Sequence, residues 1–143
     1  MAVDLEHSFS TARSIDDSYA VILDLDRLIP CVEGGSVVER IGPDAVKGQI
    51  KVKMGAMSMT FSGTLEIVEQ DAAAHRAVLS VKSREAGGQG NASAVVTWAV
   101  TDDGGTIHTD ATITGKPASM GRGVIVGVLD GLIKDFAGKL SQL

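Results

Sequence analysis

The sequence predicts an α+β fold: a curved antiparallel sheet of about seven strands wrapped on a long C-terminal helix, with two short helices after the first strand. Three observations predict it. From residue 118 to 140, at about 100° per residue, Ile125, Val128, Leu129, Leu132, Ile133, Phe136 and Leu140 fall on one broad face. Between residues 35 and 115, apolar and polar residues alternate in runs separated by short turns, the pattern of an antiparallel meander with one buried face. A further alternating run opens the chain, and two short helical patterns follow it. A helix with one greasy face and a sheet with one greasy face must cover each other.

Taken in order, residues 2–10 alternate Val3, Leu5, His7 and Phe9 against Asp4, Glu6 and Ser8, a half-buried strand. Ser14 followed by Asp17 resembles a capping box and opens a helix near 15–23. A second short helix is expected over 24–29, stopped by Pro30. Glu33-Gly34-Gly35 reads as a turn. Strands are expected at 36–41, 45–54 and from Met57 through Ile67. Ala77, Leu79 and Val81 mark the next, Ala92 through Val100 another, and Ile107 through Ile113 the last. Gly87-Gly88-Gln89-Gly90 and Asp102-Asp103-Gly104-Gly105 are hairpin turns. Pro117 stands just ahead of the long helix, where its missing N–H costs nothing. The order is a helix-grip arrangement.

Composition narrows the function classes. The 143 residues make one domain, 1–143. A net charge of −5 with no basic run argues against nucleic acid as a partner. The single cysteine, Cys31, leaves no internal disulfide and reads as a buried thiol suited to a reducing cytoplasm. The opening MAVDLEHSFS has no apolar core and is not expected to be a signal peptide. No run approaches the roughly 18 apolar residues of a membrane span.

Aromatic residues make up only 3% of the chain, so aliphatics and methionine must fill the interior or leave it partly empty. The inward strand positions Ala77, Ala92, Ala94, Thr109 and Ala111 are small, while the inward helix face is bulky. Met54, Met57, Met59 and Phe61 cluster on neighbouring strands, and methionine adapts to irregular shapes. Either these residues wall an apolar pocket, or they form a plain core with methionine as gap-filler.

Reactive constellations are missing from the sequence. His7, His75 and His108 lie on different elements with no metal-ligand spacing, His7 reading as a satisfied core residue and His108 as outward. No nucleophile elbow occurs, and the glycine loop joins two strands instead of opening a helix. The paired aspartates sit at caps and turns. No catalytic residue and no metal site are assigned, and the chain is not expected to be an enzyme. Arg122, in the first turn of the long helix, either holds a polar head group or pairs with a loop acid. Gly123, Gly127 and Gly131 form a stripe nearly opposite the apolar face; either a partner or membrane approaches it, or tertiary packing tolerates it.

Four segments carry a family resemblance: 23–31, from Leu-Asp to Pro-Cys; 61–71, FSGTLEIVEQD; 87–92, GGQGNA; and 113–122, ITGKPASMGR, leading into 136–140, FAGKL. Together they resemble the carbon monoxide dehydrogenase G-subunit family, within the Bet v 1-like, START-like lipid-transfer superfamily. The resemblance implies a ligand-binding helix-grip domain that is an accessory to a molybdenum-containing carbon monoxide dehydrogenase and links it to the membrane. It thereby implies a cytoplasmic protein peripherally associated with the inner face of the plasma membrane. Many members carry a tail after the long helix; this sequence stops at Leu143, so direct anchoring is not expected unless a tail has been removed. Joined to the expected pocket, the resemblance suggests an apolar lipid or an isoprenoid quinone, menaquinone or ubiquinone, as ligand, with no covalent cofactor. Met54, Met57, Met59, Phe61 and Leu79 would line the tail channel with Ala94, Trp98 and Ala111. Met120, Arg122, Ile125, Leu129 and Leu132 would complete the site. The alternatives are a recruitment scaffold without ligand and a cyclase or hydrolase of the same superfamily.

Overall fold

A computed structural model describes residues 1–142. The chain runs β1 (Ala2–Ser10), α1 (Ile15–Ile22), α2 (Leu25–Leu28), β2 (Gly35–Gly42), β3 (Ala45–Met54), β4 (Met57–Asp71), β5 (Arg76–Glu85), β6 (Gly90–Thr101), β7 (Gly104–Gly115) and α3 (Arg122–Leu140). One antiparallel sheet takes the order β1-β7-β6-β5-β4-β3-β2, so β1 and β2 are its edges. Register shifts in β2 and, at Ile67/Glu69, in β4 add unpaired residues, which increase local twist and bend the sheet. The predicted fold class is the observed one.

Local chemistry accounts for the helix boundaries. Ser14 caps α1, its Oγ accepting the Asp17 N–H at 3.2 Å, an interaction type worth about 1 kcal/mol. The second α-helix ends ahead of Pro30, as expected, but Pro30 does not end the helical path. It sits in the first turn of a 3-10 segment, Ile29–Cys31, that continues α2, a position where no N–H is required. The long helix also starts later than its periodicity suggests. Pro117–Met120 form a separate 3-10 turn, and Gly121, at φ 96°, breaks the path before α3 begins at Arg122. That backbone conformation is open to glycine and strained for other residues.

The core has two ends of different composition. At one, Trp98 makes edge contacts with Phe9 and Phe136 at centroid distances of 6.0 and 5.7 Å, amid Leu25, Leu28 and Leu140. At the other lie all five methionines: Met54 and Met59 are buried with Val52, Phe61 and Ile125, and Met1, Met57 and Met120 pack against them. Ile125 retains only 2% of its surface, a burial worth about 1.5–3 kcal/mol.

β1 fastens α3 laterally. The His7 Nε2–H donates to Asp130 Oδ1 at 2.7 Å, and the Arg122 guanidinium donates to the Ala2 carbonyl at 2.7 Å. His7 is not fully satisfied, contrary to expectation, because its buried Nδ1 has no partner among the described residues.

Candidate ligand-binding site

The site follows from cross-strand register. Gly48, Gly63, Ser83 and Ala92 stand side by side on β3, β4, β5 and β6. The next inward row is Leu65, Val81, Ala94 and Ala111. Flanking these rows are the bulkier pair Ile50 and Phe61 on one side and Leu79, Val96 and Trp98 on the other. Small side chains therefore coincide on adjacent strands, midway along the concave face. Gly63 is required there, since an added Cβ would run into the backbone of Lys82 and Ser83.

Above these rows the sheet and α3 do not meet. A cavity of about 180 Å³ lies between them, walled by Ile50, Val52, Phe61, Ala94, Ala111, Ile125, Val128, Leu129 and Leu132, among others. A second, of about 250 Å³, adjoins it through Val81, Thr109, Leu129 and Leu132 and extends toward Trp98 and Phe136. A third, of about 160 Å³, lies under Ile29 and Val32 and also shares Val81. For scale, a dry apolar cavity of about 150 Å³ takes up benzene. Val81, Ala94, Val96, Leu129 and Leu132 face inward yet are only half-buried, because the hollow between them is accessible.

The walls are almost wholly apolar. Ser83 donates its hydroxyl to the Ala92 carbonyl at 2.6 Å, and Thr109 is buried. No side chain on the three walls ionises in the range where acid–base catalysis operates. Among the described residues no three His, Cys, Asp or Glu gather as a metal site, and no helix is long and apolar enough to cross a membrane.

The structure distributes the expected site residues unevenly. Met54, Phe61, Ala94, Ala111, Ile125, Leu129 and Leu132 share one cavity wall, and Leu79 and Trp98 stand on the adjoining one. Met57, Met59 and Met120 are off these walls and pack in the methionine-rich end of the core. They lie past the Ile50–Phe61 row, where their β3 neighbours Val52 and Met54 carry the cavity wall. Arg122 is off the walls as well, and among the described residues it pairs with a backbone carbonyl instead of a loop acid. The break at Gly121 sets it at the helix start, where it reaches the Ala2 carbonyl. The sequence reading missed Leu25, Leu28, Ile29 and Val32, which wall the larger cavity. Their i, i+3, i+4, i+7 spacing was the available signal.

Charged groups lie outside the hollow. Hydrogen bonds from Lys134 and His7 hold the Asp130 carboxyl below the usual carboxylate range. On the convex face, the hydrogen bond to Asp4 raises the His108 pKa above the ordinary histidine value, with Glu6 and Asp110 adding to the effect. Cys31 is buried, with its thiol on the Arg27 carbonyl at 3.4 Å.

Several solved structures share the architecture. A conserved protein from Geobacillus kaustophilus is 21% identical, with a TM-score of 0.77 over 99% of this chain and 93% of that one. The Zhui aromatase/cyclase from Streptomyces sp. R1128 is 13% identical, with a TM-score of 0.62 over 98% and 94%. Ara h 8.0201 is 15% identical, with a TM-score of 0.53 over the full length of both chains. At these identities the likeness establishes a shared Bet v 1-like fold. No curated protein matches in sequence. The family model of the carbon monoxide dehydrogenase G subunit, CoxG, matches residues 8–143, and the chain belongs to that family.

Proposed function

We propose that this protein is a non-catalytic carrier that holds an isoprenoid quinone, of menaquinone or ubiquinone type, between its sheet and α3. It would present the quinone to a molybdenum-containing carbon monoxide dehydrogenase and connect that enzyme with the membrane quinone pool through peripheral contact. The observation that carries the reading is the adjoining set of apolar cavities whose walls bear no ionisable side chain. A branched hydrocarbon tail needs such a space, and each buried CH₂ contributes about 0.8 kcal/mol. A dehydrogenase of this kind must pass electrons on, and a quinone is the lipid-soluble acceptor that fits an oily chamber.

The test is purification from a quinone-producing host, followed by organic extraction and mass spectrometry. Emission from the single tryptophan, Trp98 on the chamber wall, gives an independent titration with decylubiquinone. Co-purifying quinone and saturable binding at one ligand per chain are expected. Their joint absence refutes the carrier. The open glycine stripe along α3 favours a scaffold as the second reading, because Cβ atoms added at Gly123, Gly127 and Gly131 would meet nothing within 4 Å. Pulldown of the dehydrogenase that depends on this face and not on ligand would support it.

A further inference from the structure

The chamber between sheet and helix has almost no group for the polar end of a ligand, so that end must lie at an opening. One opening has the required chemistry. β2 pairs with β3 only as far as Ile50, after which Gly34 accepts the Lys51 N–H at 3.1 Å. Beyond that point β3 is an unpaired edge, and α3 passes beside it. Between them lies a cleft of about 540 Å³, lined by Lys51, Lys53, Ser58, Thr60, Gly127 and Gly131, with Glu33 on its rim. Val52, Val128 and Leu132 line both this cleft and the apolar chamber. Lys51 and Lys53 have no ion-pair partner among the described residues. Strand alternation aims the N–H and C=O of Lys53 toward the same free edge as those of Lys51.

The geometry points to this cleft as the lateral mouth of the chamber and as the seat of the ligand's head group. The ligand class it selects is an amphiphile whose head carries hydrogen-bond-accepting oxygens, either the carbonyls of a quinone or the carboxylate of a fatty acid. The Lys53 N–H at the free edge and the ammonium groups of the long Lys51 and Lys53 side chains, rooted at that edge, supply donors on one side. On the other side the helix offers no side chain at Gly127 and Gly131, which leaves the tail a passage inward past Val128 and Leu132. This assignment rests on the carrier reading and adds where the ligand passes and what holds its head.

Stopped-flow uptake of decylubiquinone, by Trp98 quenching, and of the fluorescent fatty acid cis-parinaric acid tests it. G127L/G131L places two side chains in the cleft while raising helix propensity, so folding should persist; circular dichroism checks this. Uptake of both probes should slow at least tenfold, whereas G138L, remote from the cleft, should match the wild type. K51Q/K53Q should weaken parinarate binding about tenfold and decylubiquinone about threefold. Unchanged uptake in a folded G127L/G131L protein overturns the mouth. Unchanged affinity of both probes in K51Q/K53Q overturns the head-group seat. If the wild type binds neither probe, the carrier reading falls and this one with it.

Discussion

Enlarging Ala94 separates a hollow interior from a filled one by the sign of a single measurement. Ala94 stands between Val81 and Ala111 on the chamber wall and is half-buried. Ala94→Leu adds the equivalent of three carbon groups directed into a cavity of about 180 Å³. At about 0.8 kcal/mol per buried CH₂, the ligand-free protein should gain up to about 2.4 kcal/mol. In a close-packed core the same insertion costs about 1–3 kcal/mol. The gain for the empty protein is a loss for the cargo: a tail excluded from an equal volume forfeits about 2.4 kcal/mol, close to fiftyfold in Kd. Urea denaturation of delipidated protein and Trp98-monitored titration measure the two quantities. A destabilised variant with undiminished ligand affinity would refute the idea that this space is open and is where the tail resides.

Other expectations follow from individual contacts. Gly63→Ala should cost on the order of 3 kcal/mol, since the backbone of β5 occupies the position of the new Cβ; denaturation midpoints check this. Gly127→Ala should instead stabilise by about 0.8–1 kcal/mol, because the added methyl meets nothing and removes a helix-interior glycine. NMR titration should find His108 protonating above the ordinary histidine value of about 6.5, and Asp4→Asn should remove the largest part of that shift. Because the folded pKa is raised, this pair stabilises fully below about pH 6.5 and its contribution disappears as pH rises through the folded value. Asp130 is the opposite case, with a lowered pKa. Its contribution is present above about pH 4 and is lost as acid titrates it, so Asp130→Asn should flatten the stability profile only on the acid side.

Strand period and turn chemistry make the sheet legible from sequence. Residues 2–10 and 45–54 alternate cleanly, and β1 and β3 occupy those spans. Two boundaries are obscured because backbone geometry, not periodicity, decides them. The apolar pattern runs through Ala118, but the helix cannot pass Gly121, and a 3-10 turn absorbs Pro30 where an α-helix would have ended. The small residues of the chamber are visible singly. Their alignment into rows across four strands depends on pairing register, which single-strand alternation does not encode. For the same reason alternation alone does not tell which methionines border the cavity. Met57 and Met59 share the inward phase of Phe61, but they pack in the core beside Met54 and Val52, and it is those two that carry the cavity wall.

The uneven division of side chains between the two ends of the core has a mechanical consequence. Ring contacts of the Phe9, Trp98 and Phe136 kind give little without losing their edge geometry, whereas thioether side chains rotate among several shapes at low cost. Guests of different bulk should therefore leave the tryptophan end superimposable from one complex to the next. Any adjustment should be taken up by side-chain rotation around Met54, so the molecule has a stiff gauge at one end and a compliant cushion at the other.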